Sequence, residues 1–383
     1  MNILKTLCTS ALAAVAAFSA TAALAGATPK PLQHVFYIMM ENHGYGEIIG
    51  NTADAPFINS LPAKGALATQ YYGVTHPSLP NYLAGMSGDF QGIWDDCAAG
   101  PTVTCAPEEF VPGSGDGTDG NYLTSDQITS ATNTAHWFSG QTLVDQLTAA
   151  HKTWRAYFQS MPAGGYDVEY APVINGATVK LYAQKHNPFL YFSNIRNSST
   201  ALSNIVPMGK NFNAALSSGH VPNFVYIAPD QCHDMHGVSP SSAYLIGLPS
   251  CGYPSSGLDH GAIQLGDAYL SNLVHAIQSS TAWTNERSAI VIVWDEDDYT
   301  GFDGCCSSPL GVGGVTLGGS EVPTIVLTSP SAGGPAPGTQ FTAPANHYSL
   351  LATIENMWGL PCLANACNIT LGGLMTPMFK AGN

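Results

Sequence analysis

Acidic or amide side chains follow three apolar runs of the sequence, directly or after one residue. These are Glu41-Asn42 after residues 34–40, Asp295-Glu296 after residues 289–294, and Asp230 soon after residues 224–228. Carboxylate and amide oxygens are ligands that suit hard or borderline divalent cations. Turn propensity alone would explain a single pair, but the recurrence at three run ends predicts a metal site whose ligands are the first two pairs.

Ser78 is the hydroxyl residue best placed for nucleophilic chemistry. A helical pattern begins at Pro80, and Ser is favoured at an N-cap while Pro is favoured in the first turn. A helix N-terminus attracts phosphate, and a nearby cation would stabilise the serine alkoxide. No G-x-S-x-G elbow surrounds Ser78, so a serine esterase that pairs Ser78 with His347 is a less favoured alternative.

The elements that must carry these residues follow from the hydrophobic pattern. Buried strands are predicted at residues 34–40, 224–228, 289–294 and 324–328, and helices at residues 80–86, 142–150, 264–278 and 349–358. The aromatic segment at 154–158 is predicted to be core. Alternating strands and helices predict an α/β fold with a mostly parallel central sheet sandwiched by helices. In such sheets ligands bind beyond the carboxyl ends of the strands, where the acidic pairs lie.

The composition limits the class of protein. The 383-residue chain has 26 Asp+Glu against 11 Lys+Arg, a formal net charge of −15, and 45% hydrophobic residues. The acidic balance argues against a nucleic-acid binder, and the apolar fraction argues against a disordered chain. Residues 89–140 are rich in Gly, Ser, Thr and Asp, which predicts a loop or lid inserted into a single domain.

The N-terminus has the features of a secretory signal peptide over residues 1–25. Lys5 is followed by an Ala-rich apolar stretch, and Ala23-Leu24-Ala25 is an A-x-A cleavage site. The apolar stretch is shorter than the ~20 residues that span a bilayer, so we expect no stable membrane anchor. The sequence thus predicts a secreted or periplasmic protein with one domain over residues 26–383.

Eight cysteines remain after the predicted cleavage, and an even count in an exported protein favours disulfides. Two local pairs are predicted, Cys97–Cys105 and Cys362–Cys367. The other four are expected to pair among themselves: Cys232, Cys251, Cys305 and Cys306. The two adjacent cysteines are expected to reach different partners rather than each other. The sequence has no pair of C-x-x-C units that would indicate a thiolate zinc site.

Four segments match one known family in order along the chain. They are Met39-Met40-Glu41-Asn42, residues 75–85 (THPSLPNYLAG), Val293-Trp294-Asp295-Glu296-Asp297-Asp298 and Asn346-His347-Tyr348-Ser349-Leu350-Leu351. Together they resemble the bacterial phosphoesterase family that contains acid phosphatases and phospholipases C, which is similar to the wider alkaline-phosphatase superfamily. The resemblance covers roughly residues 33–360 and implies an alkaline-phosphatase-like fold.

The resemblance implies roles at the metal and nucleophile positions. Glu41 and Asn42 match the family's Glu-Asn ligands. Asp295 and Glu296 match its acidic pair, which is Asp-Asp in some members. Ser78 matches the nucleophile.

The segment from Ser78 to Asn81 has the Thr-x-Pro-Asn form of the related nucleotide pyrophosphatases, with Ser in place of Thr. By that similarity, Asn81 would hydrogen-bond a phosphoryl oxygen. The Cys-x-Pro-x-Arg site of the superfamily's sulfatases does not occur in the sequence, which counts against sulfate esters.

Histidines and acids in further segments resemble family residues that line the site. Candidates for binding phosphate or a second cation are Asp230, His233, Asp234, His236 and His186. The spacing leaves His233 and His236 as alternatives for one role. His347 matches a family histidine near the phosphate. His236 or His347 could serve as general acid for the leaving alkoxide.

These observations predict an exported, metal-dependent phosphoesterase, most simply an acid-phosphatase-like phosphomonoesterase that forms a phosphoserine on Ser78. The alternatives are a phospholipase C acting on phospholipid head groups and a non-catalytic homologue that binds metal or phosphate. Oxygen-rich ligands permit Ca, Mg, Mn, Fe or Zn as the divalent cation. The substrate, the number of cations and the oligomeric state stay open.

Overall fold

Short strands and helices separated by long loops make up the chain. The computed structural model describes residues 31–113 and 120–380. Its strands are β1 (His34–Met40), β2 (Ala66–Ala68), β3 (Tyr71–Tyr72), β4 (Trp154–Phe158), β5 (Tyr170–Ile174), β6 (Ala177–Ala183), β7 (Ile205–Pro207), β8 (Phe224–Ala228), β9 (Ser288–Trp294), β10 (Thr324–Thr328), β11 (Thr339–Phe341) and β12 (Ala345–Asn346). Its α-helices are α1 (Tyr45–Ile48), α2 (Pro56–Ser60), α3 (Ser78–Ser87), α4 (Ser125–Asn133), α5 (Leu143–Ala149), α6 (Ser193–Arg196), α7 (Ser199–Leu202), α8 (Gly209–Ser218), α9 (Pro240–Leu245), α10 (His260–Gln278), α11 (Thr281–Thr284) and α12 (His347–Trp358).

Eight strands form the central sheet, in the order β11-β2-β10-β9-β1-β8-β4-β7. The pairings from β9 across to β7 are parallel, as is that of β2 with β11, whereas β10 runs antiparallel to both of its neighbours. The predicted α/β fold with a mostly parallel sheet is therefore confirmed. β5 and β6 form a separate hairpin, and β3 pairs with β12.

The register of β1 against β9 brings two strand ends together. Met40 lies opposite Trp294, and these are the last residues of the two strands. Both strands are buried along their whole length, which explains their continuous apolar sequence. Because parallel strands end at the same edge of a sheet, Glu41 and Asp295 leave it as neighbours.

Two helices, α3 and α12, contact each other beside the sheet. α12 begins after Asn346, whose side-chain oxygen accepts hydrogen bonds from the backbone N–H groups of Tyr348 and Ser349, as an N-cap does. α3 ends at Gly88, where φ is 74°, a left-handed conformation that favours glycine. Both helices begin at residues that the sequence placed in the site.

The observed elements agree with most of the predicted boundaries. β1, β8 and β10 have the predicted bounds, and β9 begins at Ser288 rather than Ala289. α10 begins at His260 rather than at residue 264, because the Asp259 side chain accepts a hydrogen bond from the backbone of Ala262 and caps an additional turn. The aromatic segment at 154–158 forms β4, in agreement with its predicted core role.

Residues 89–140, in their described part, contain the helix α4 and otherwise run as loop. A small core of its own stabilises this segment, formed by Trp94, Phe110, Leu123, Ala131 and Leu317. The Trp94 Nε1–H group donates a hydrogen bond to Thr75 Oγ1 at 3.1 Å. The segment is therefore anchored to the turn before Ser78, while its action as a lid and its place in a single domain stay predictions.

Four disulfides occur in the described residues: Cys97–Cys105, Cys232–Cys251, Cys305–Cys306 and Cys362–Cys367. The two local pairs agree with the prediction. The expectation that the adjacent cysteines pair with different partners is wrong. Cys232 and Cys251 lie on either side of α9 with Cα atoms 5.1 Å apart and bond to each other, which leaves Cys305 and Cys306 as a vicinal pair.

In residues 31–113 and 120–380, no helix is long and apolar enough to cross a membrane. The predicted signal peptide at residues 1–25 lies outside the described residues.

Candidate active site

Ser78 is the first residue of α3, and its side chain is fully buried. Its Oγ lies 3.0 Å from Glu41 Oε2 and 3.2 Å from Glu296 Oε1, and either carboxylate can accept its proton. Lys185 Nζ donates a hydrogen bond to the same Oγ at 3.0 Å. Two carboxylates and one ammonium group thus surround the serine oxygen. A carboxylate can take the serine proton, and the ammonium group can stabilise the resulting negative charge.

The two pairs predicted as metal ligands meet beyond the ends of β1 and β9. Asp295 Oδ1 accepts hydrogen bonds from the backbone N–H of Asn42 at 3.2 Å and of Glu296 at 2.8 Å. Asn42 has φ of 48°, a left-handed conformation that Asn adopts more readily than most residues. Glu41 joins the group through Ser78. The structure therefore brings together all four predicted ligands and the predicted nucleophile, which we call the strand-end cluster.

Buried oxygens in and beside the strand-end cluster are incompletely paired. Asn42 Oδ1 and Asp295 Oδ2 have no hydrogen-bond partner, and Glu41 Oε1 and Asp234 Oδ2 have only contacts of 3.2 and 3.4 Å with His186. An unpaired buried oxygen of this kind costs free energy, and a divalent cation bound by oxygen ligands would satisfy such a set. The donor chemistry fits the predicted cation, and Asp234, predicted as a ligand of phosphate or a second cation, lies beside the same oxygens.

The carboxylate oxygens of the strand-end cluster do not converge tightly enough for three of them to contact one cation. In the described part of the chain, one group of acidic, Cys or His side chains has three ligand atoms within 4.8 Å of one another. That group is Asp95, Cys97 and Cys105, and it does not include the acids of the strand-end cluster. Those two cysteines form a disulfide and offer no thiolate. A cation at the strand ends would therefore use the Asn42 amide oxygen with fewer carboxylates, or draw the side chains inward.

Burial and mutual repulsion perturb the acids of this region. Burial and the charge of Glu41 raise the pKa of Asp295 and of Asp234 well above the usual range. Burial would also raise the pKa of Glu41, but His186 and Lys185 hold it well below its usual range. Negative charge therefore concentrates on Glu41, the carboxylate that contacts Ser78, and this favours a cation beside it.

His76 is a buried partner of Glu296 that the sequence analysis did not assign to the site. Its Nδ1 lies 2.6 Å from Glu296 Oε2, and its Nε2 lies 3.3 Å from Asp297 Oδ1. Burial lowers the pKa of His76, but these two carboxylates raise it to about 10. The imidazole also stacks on Tyr299, with 4.7 Å between ring centroids. Its position two residues before Ser78 was the available sequence signal.

Lys185 and Asp96 form a second pair that the sequence analysis missed. Lys185 Nζ lies 2.7 Å from Asp96 Oδ2. Burial lowers the pKa of Lys185, but Asp96 and Glu41 raise it well above its usual range, so the side chain is cationic. A basic residue beside His186, in a chain with 11 Lys+Arg, was a usable signal. Asp96 is 89 residues away in sequence, and no spacing rule connects the two.

His186 lies between two acids. Its Nε2 is 3.2 Å from Glu41 Oε1, and its Nδ1 is 3.4 Å from Asp234 Oδ2. The imidazole stacks on Tyr82 of α3, with 5.0 Å between centroids and 6° between planes. The structure thus places two further predicted residues, His186 and Asp234, beside the strand-end cluster.

His236 lies at the edge of the cluster and is half-buried. Its backbone N–H donates to Asp234 Oδ1 at 2.8 Å, and its Nδ1 lies 3.4 Å from the Tyr253 hydroxyl. Burial and the charge of Lys185 lower the pKa of His236 to about 4. Asp230 and His233 instead bond to each other, with 2.6 Å between Oδ1 and Nδ1.

Asn81 lies one turn after Ser78, and backbone groups occupy its whole carboxamide. Its Oδ1 accepts hydrogen bonds from the N–H groups of Val74 at 2.7 Å and Thr75 at 3.1 Å. Its Nδ2 donates to the carbonyls of Thr75 at 2.6 Å and Pro77 at 3.2 Å. The side chain therefore holds the turn before Ser78, and no amide atom is left for the phosphoryl contact that the resemblance implies.

Both ring nitrogens of His347 are also engaged. Nε2 lies 2.7 Å from the backbone carbonyl of Asp295, and Nδ1 lies 2.9 Å from the Tyr71 hydroxyl. Burial lowers the pKa of His347 to about 4. The residue links the N-terminus of α12 to the end of β9, and its hydrogen bond to the Asp295 carbonyl helps to position the acidic pair.

Comparison with known proteins gives the same family that the motifs indicate. The model of the Phosphoesterase family matches residues 51–244 and 252–361. A phosphatidylinositol-3-phosphatase of Mycobacterium tuberculosis is 26% identical over 345 residues, which cover 90% of this chain and 83% of that protein. A probable acid phosphatase of Kluyveromyces lactis is 24% identical and covers 88% of this chain. An acid phosphatase of Aspergillus fumigatus is also 24% identical and covers 86% of this chain.

The chain spans 63% of the Kluyveromyces protein and 55% of the Aspergillus protein. Among solved structures, a protein in the alkaline phosphatase superfamily from Vibrio parahaemolyticus matches with a TM-score of 0.45 and 12% identity, over 86% of this chain and 69% of that one. The family model covers most of the chain, including Ser78 and both residues of the second acidic pair. The chain belongs to the Phosphoesterase family and is a phosphoric ester hydrolase.

Proposed function

We propose that the protein is a metal-dependent phosphomonoesterase that works through a covalent phosphoserine on Ser78. The observation that carries the proposal is the environment of Ser78 Oγ, which lies 3.0 Å from Glu41 Oε2 and 3.0 Å from Lys185 Nζ. The similarity to acid phosphatases supports a monoester substrate.

The residues of the cluster would divide the work between them. Glu41, Asn42 and Asp295 would hold the divalent cation. When bound, the cation supplies positive charge that offsets the phosphate and lowers the pKa of the serine hydroxyl. Ser78 begins a ten-residue helix, whose N-terminus favours a phosphate at that end. His236, half-buried at the edge of the cluster, would contact the leaving group.

Phosphate esters that carry an apolar group are a second candidate class. Exposed apolar side chains occur on two segments beside the cluster: Val168, Val173, Tyr244, Leu245 and Tyr253. The two segments share a small core, in which Leu181 packs against the buried cluster of Cys232, Val238, Ala243 and Cys251. Tyr253 reaches His236. The name of the mycobacterial relative, a phosphatidylinositol-3-phosphatase, points in the same direction.

Phosphate release from a substrate panel tests both classes. The panel contains p-nitrophenyl phosphate, phosphatidylinositol 3-phosphate in vesicles, and phosphatidylcholine. Wild type should hydrolyse the monoesters, and Ser78→Ala should lose at least about 10³-fold of kcat, whereas Ser217→Ala on the exposed face of α8 should not change it. Acid quenching followed by mass spectrometry should find phosphate on Ser78.

Three results from the same panel would contradict the proposal. Equal rates for Ser78→Ala and wild type would remove Ser78 from the mechanism. Choline phosphate released from phosphatidylcholine would favour a phospholipase C. Absence of turnover on every substrate after divalent cations are added would favour a non-catalytic homologue.

We also propose that the protein is exported. The four disulfides of the described residues support an oxidising compartment, and residues 1–25 have the sequence of a signal peptide. Mass spectrometry of the mature protein should find residue 26 at its N-terminus. An intact Met1 in the active protein would contradict export by this route.

A further inference from the structure

The ammonium group of Lys185 contacts the hydroxyl of Ser78 directly, with 3.0 Å between Nζ and Oγ. The lysine side chain is 9% exposed, and the residue follows β6 on the short turn Gln184–His186. A lysine buried to this degree among apolar groups would lose its proton. Here Asp96 Oδ2 lies 2.7 Å from Nζ, so the ion pair keeps a positive charge at the serine oxygen.

Asp96 ties this lysine to the helix that carries the serine. Its Oδ1 accepts a hydrogen bond from the backbone N–H of Leu79 at 2.9 Å, while its Oδ2 accepts from Lys185. Leu79 is the second residue of α3. One carboxylate therefore sets the position of the ammonium group relative to Ser78.

The loop around Asp96 is fixed on both sides. Asp95 Oδ1 lies 2.7 Å from His136 Nε2 and accepts a hydrogen bond from the backbone of Cys97 at 3.0 Å. The Tyr191 hydroxyl donates to the Cys97 carbonyl at 2.8 Å, and the disulfide to Cys105 closes the loop. Such support lets a charged group act on a developing charge without reorganising.

We propose that Lys185 is a catalytic residue of the phosphoryl transfer and that Asp96 is its positioning residue. The proposal rests on the proposed role of Ser78 as nucleophile. In the transfer, the bond from Ser78 Oγ to phosphorus forms and the bond from phosphorus to the leaving alcohol breaks. The leaving oxygen keeps the electron pair and takes a proton from water.

The serine proton passes to Glu296, the carboxylate that accepts a hydrogen bond from Ser78 and is not assigned to the cation. Lys185 keeps its protons throughout and stabilises the negative charge that moves between the serine oxygen and the phosphoryl oxygens. Because the ion pair with Asp96 keeps Lys185 as an ammonium group, which has no lone pair to accept a proton, Lys185 is not the general base.

Steady-state kinetics with p-nitrophenyl phosphate test the catalytic role. Lys185→Met keeps the side-chain length and removes the charge, so kcat/KM should fall about 10²–10³-fold, as for other removed transition-state donors, with most of the loss in kcat. Lys185→Arg should recover part of the loss. Asp96→Asn should lower kcat about 10-fold through misplacement of Lys185. Lys180→Met, an exposed lysine on β6, is the matched control and should leave kcat unchanged.

Calorimetric titration with Mn²⁺ alone gives a readout that a merely structural role would not move. Removing a positive charge from the acidic cluster should tighten Mn²⁺ binding by about 10-fold in Lys185→Met. Lys185→Arg and Lys180→Met should bind Mn²⁺ as the wild type does.

The outcomes separate this proposal from the proposed function. Values of kcat/KM and Mn²⁺ affinity in Lys185→Met within about threefold of wild type would overturn the role of Lys185. Full activity of Ser78→Ala would overturn the nucleophile instead. A slowed Lys185→Met enzyme that still accumulates phosphate on Ser78 supports the proposal. If circular dichroism shows that Lys185→Met is unfolded, Lys185→Gln replaces it as the charge-removing variant. Wild-type kcat in Lys185→Gln would overturn the catalytic role, and wild-type kcat in Asp96→Asn would overturn the positioning role.

Discussion

Asn81 illustrates how a residue of a catalytic motif can serve the turn rather than the substrate. Its carboxamide has two acceptor sites and two donor hydrogens, and all are used by backbone groups of residues 74, 75 and 77. The residue is fully buried. The motif was therefore a reliable guide to where the nucleophile lies and a poorer guide to what its neighbour contacts.

Replacing Asn81 by Ala should destabilise the fold more than it changes substrate binding. The buried backbone groups that lose their partners cost about 1 kcal/mol each or more, so we expect the free energy of unfolding to fall by about 2–4 kcal/mol. Urea unfolding measures the change. Asn213→Ala, at an exposed position in α8, should change it by less than about 0.5 kcal/mol. A variant of normal stability with a raised KM would assign Asn81 to the substrate.

The ligand pairs of the strand-end cluster were predictable because each directly follows a strand that is apolar along its length. The register of β1 and β9 then brings Glu41 and Asp295 together. His76, Asp96 and Lys185 lack such a marker. Their roles depend on contacts between residues that are far apart in the sequence. His76 and Glu296 are separated by 220 residues, and Lys185 and Asp96 by 89 residues. A single sequence does not indicate which of its distant charged residues meet.

Among the elements, α12 buries the carboxyl group of Glu355. The residue is 1% exposed, and the Gln146 side chain and the Leu363 backbone are its polar neighbours. Burial raises the pKa of Glu355 from 4.5 to about 8. Between those pH values the folded protein keeps a proton that the unfolded chain has released. Stability therefore falls as pH rises through this window.

Glu355→Gln should remove this pH dependence. We expect the free energy of unfolding of the variant to exceed that of wild type by about 1–3 kcal/mol at pH 8 and to match it near pH 4.5. Gln146, whose Oε1 is buried and unpaired, can accept from the new amide. Urea unfolding at both pH values checks this, with the exposed Glu169→Gln as control. An equal difference at both pH values would contradict it.

Element positions were largely readable from the sequence, and cysteine pairing only in part. Strands β1, β8 and β10 combine uninterrupted apolar runs with polar ends, so their bounds were predicted correctly. Cys97–Cys105 and Cys362–Cys367 close short loops and follow from proximity alone. Cys305–Cys306 could not be predicted, because the alternative pairing depends on how the loops at residues 229–259 and 301–320 lie in space.

For the whole molecule, part of the negative net charge is concentrated at the candidate active site. The chain carries a formal net charge of −15, and four acids, Glu41, Asp234, Asp295 and Glu296, are buried close to Ser78. Burial, together with the charge of Glu41, raises the pKa values of Asp234 and Asp295. Such a site would repel a phosphate ester unless a cation and Lys185 offset the charge.

Divalent cations should therefore stabilise the folded protein as well as permit turnover. A ligand at 100 times its dissociation constant adds about 2.7 kcal/mol to the free energy of unfolding, which corresponds to a rise of several degrees in Tm. Protein dialysed against EDTA should melt lower and recover when a divalent cation is restored. Asn42→Ala removes one ligand oxygen without changing charge, so its Tm should respond less to the same cation concentration, whereas Asn133→Ala, exposed at the end of α4, should respond as wild type does. A melting temperature that does not change with EDTA or with any divalent cation would mean that the unpaired oxygens of Asn42 and Asp295 are satisfied by water instead.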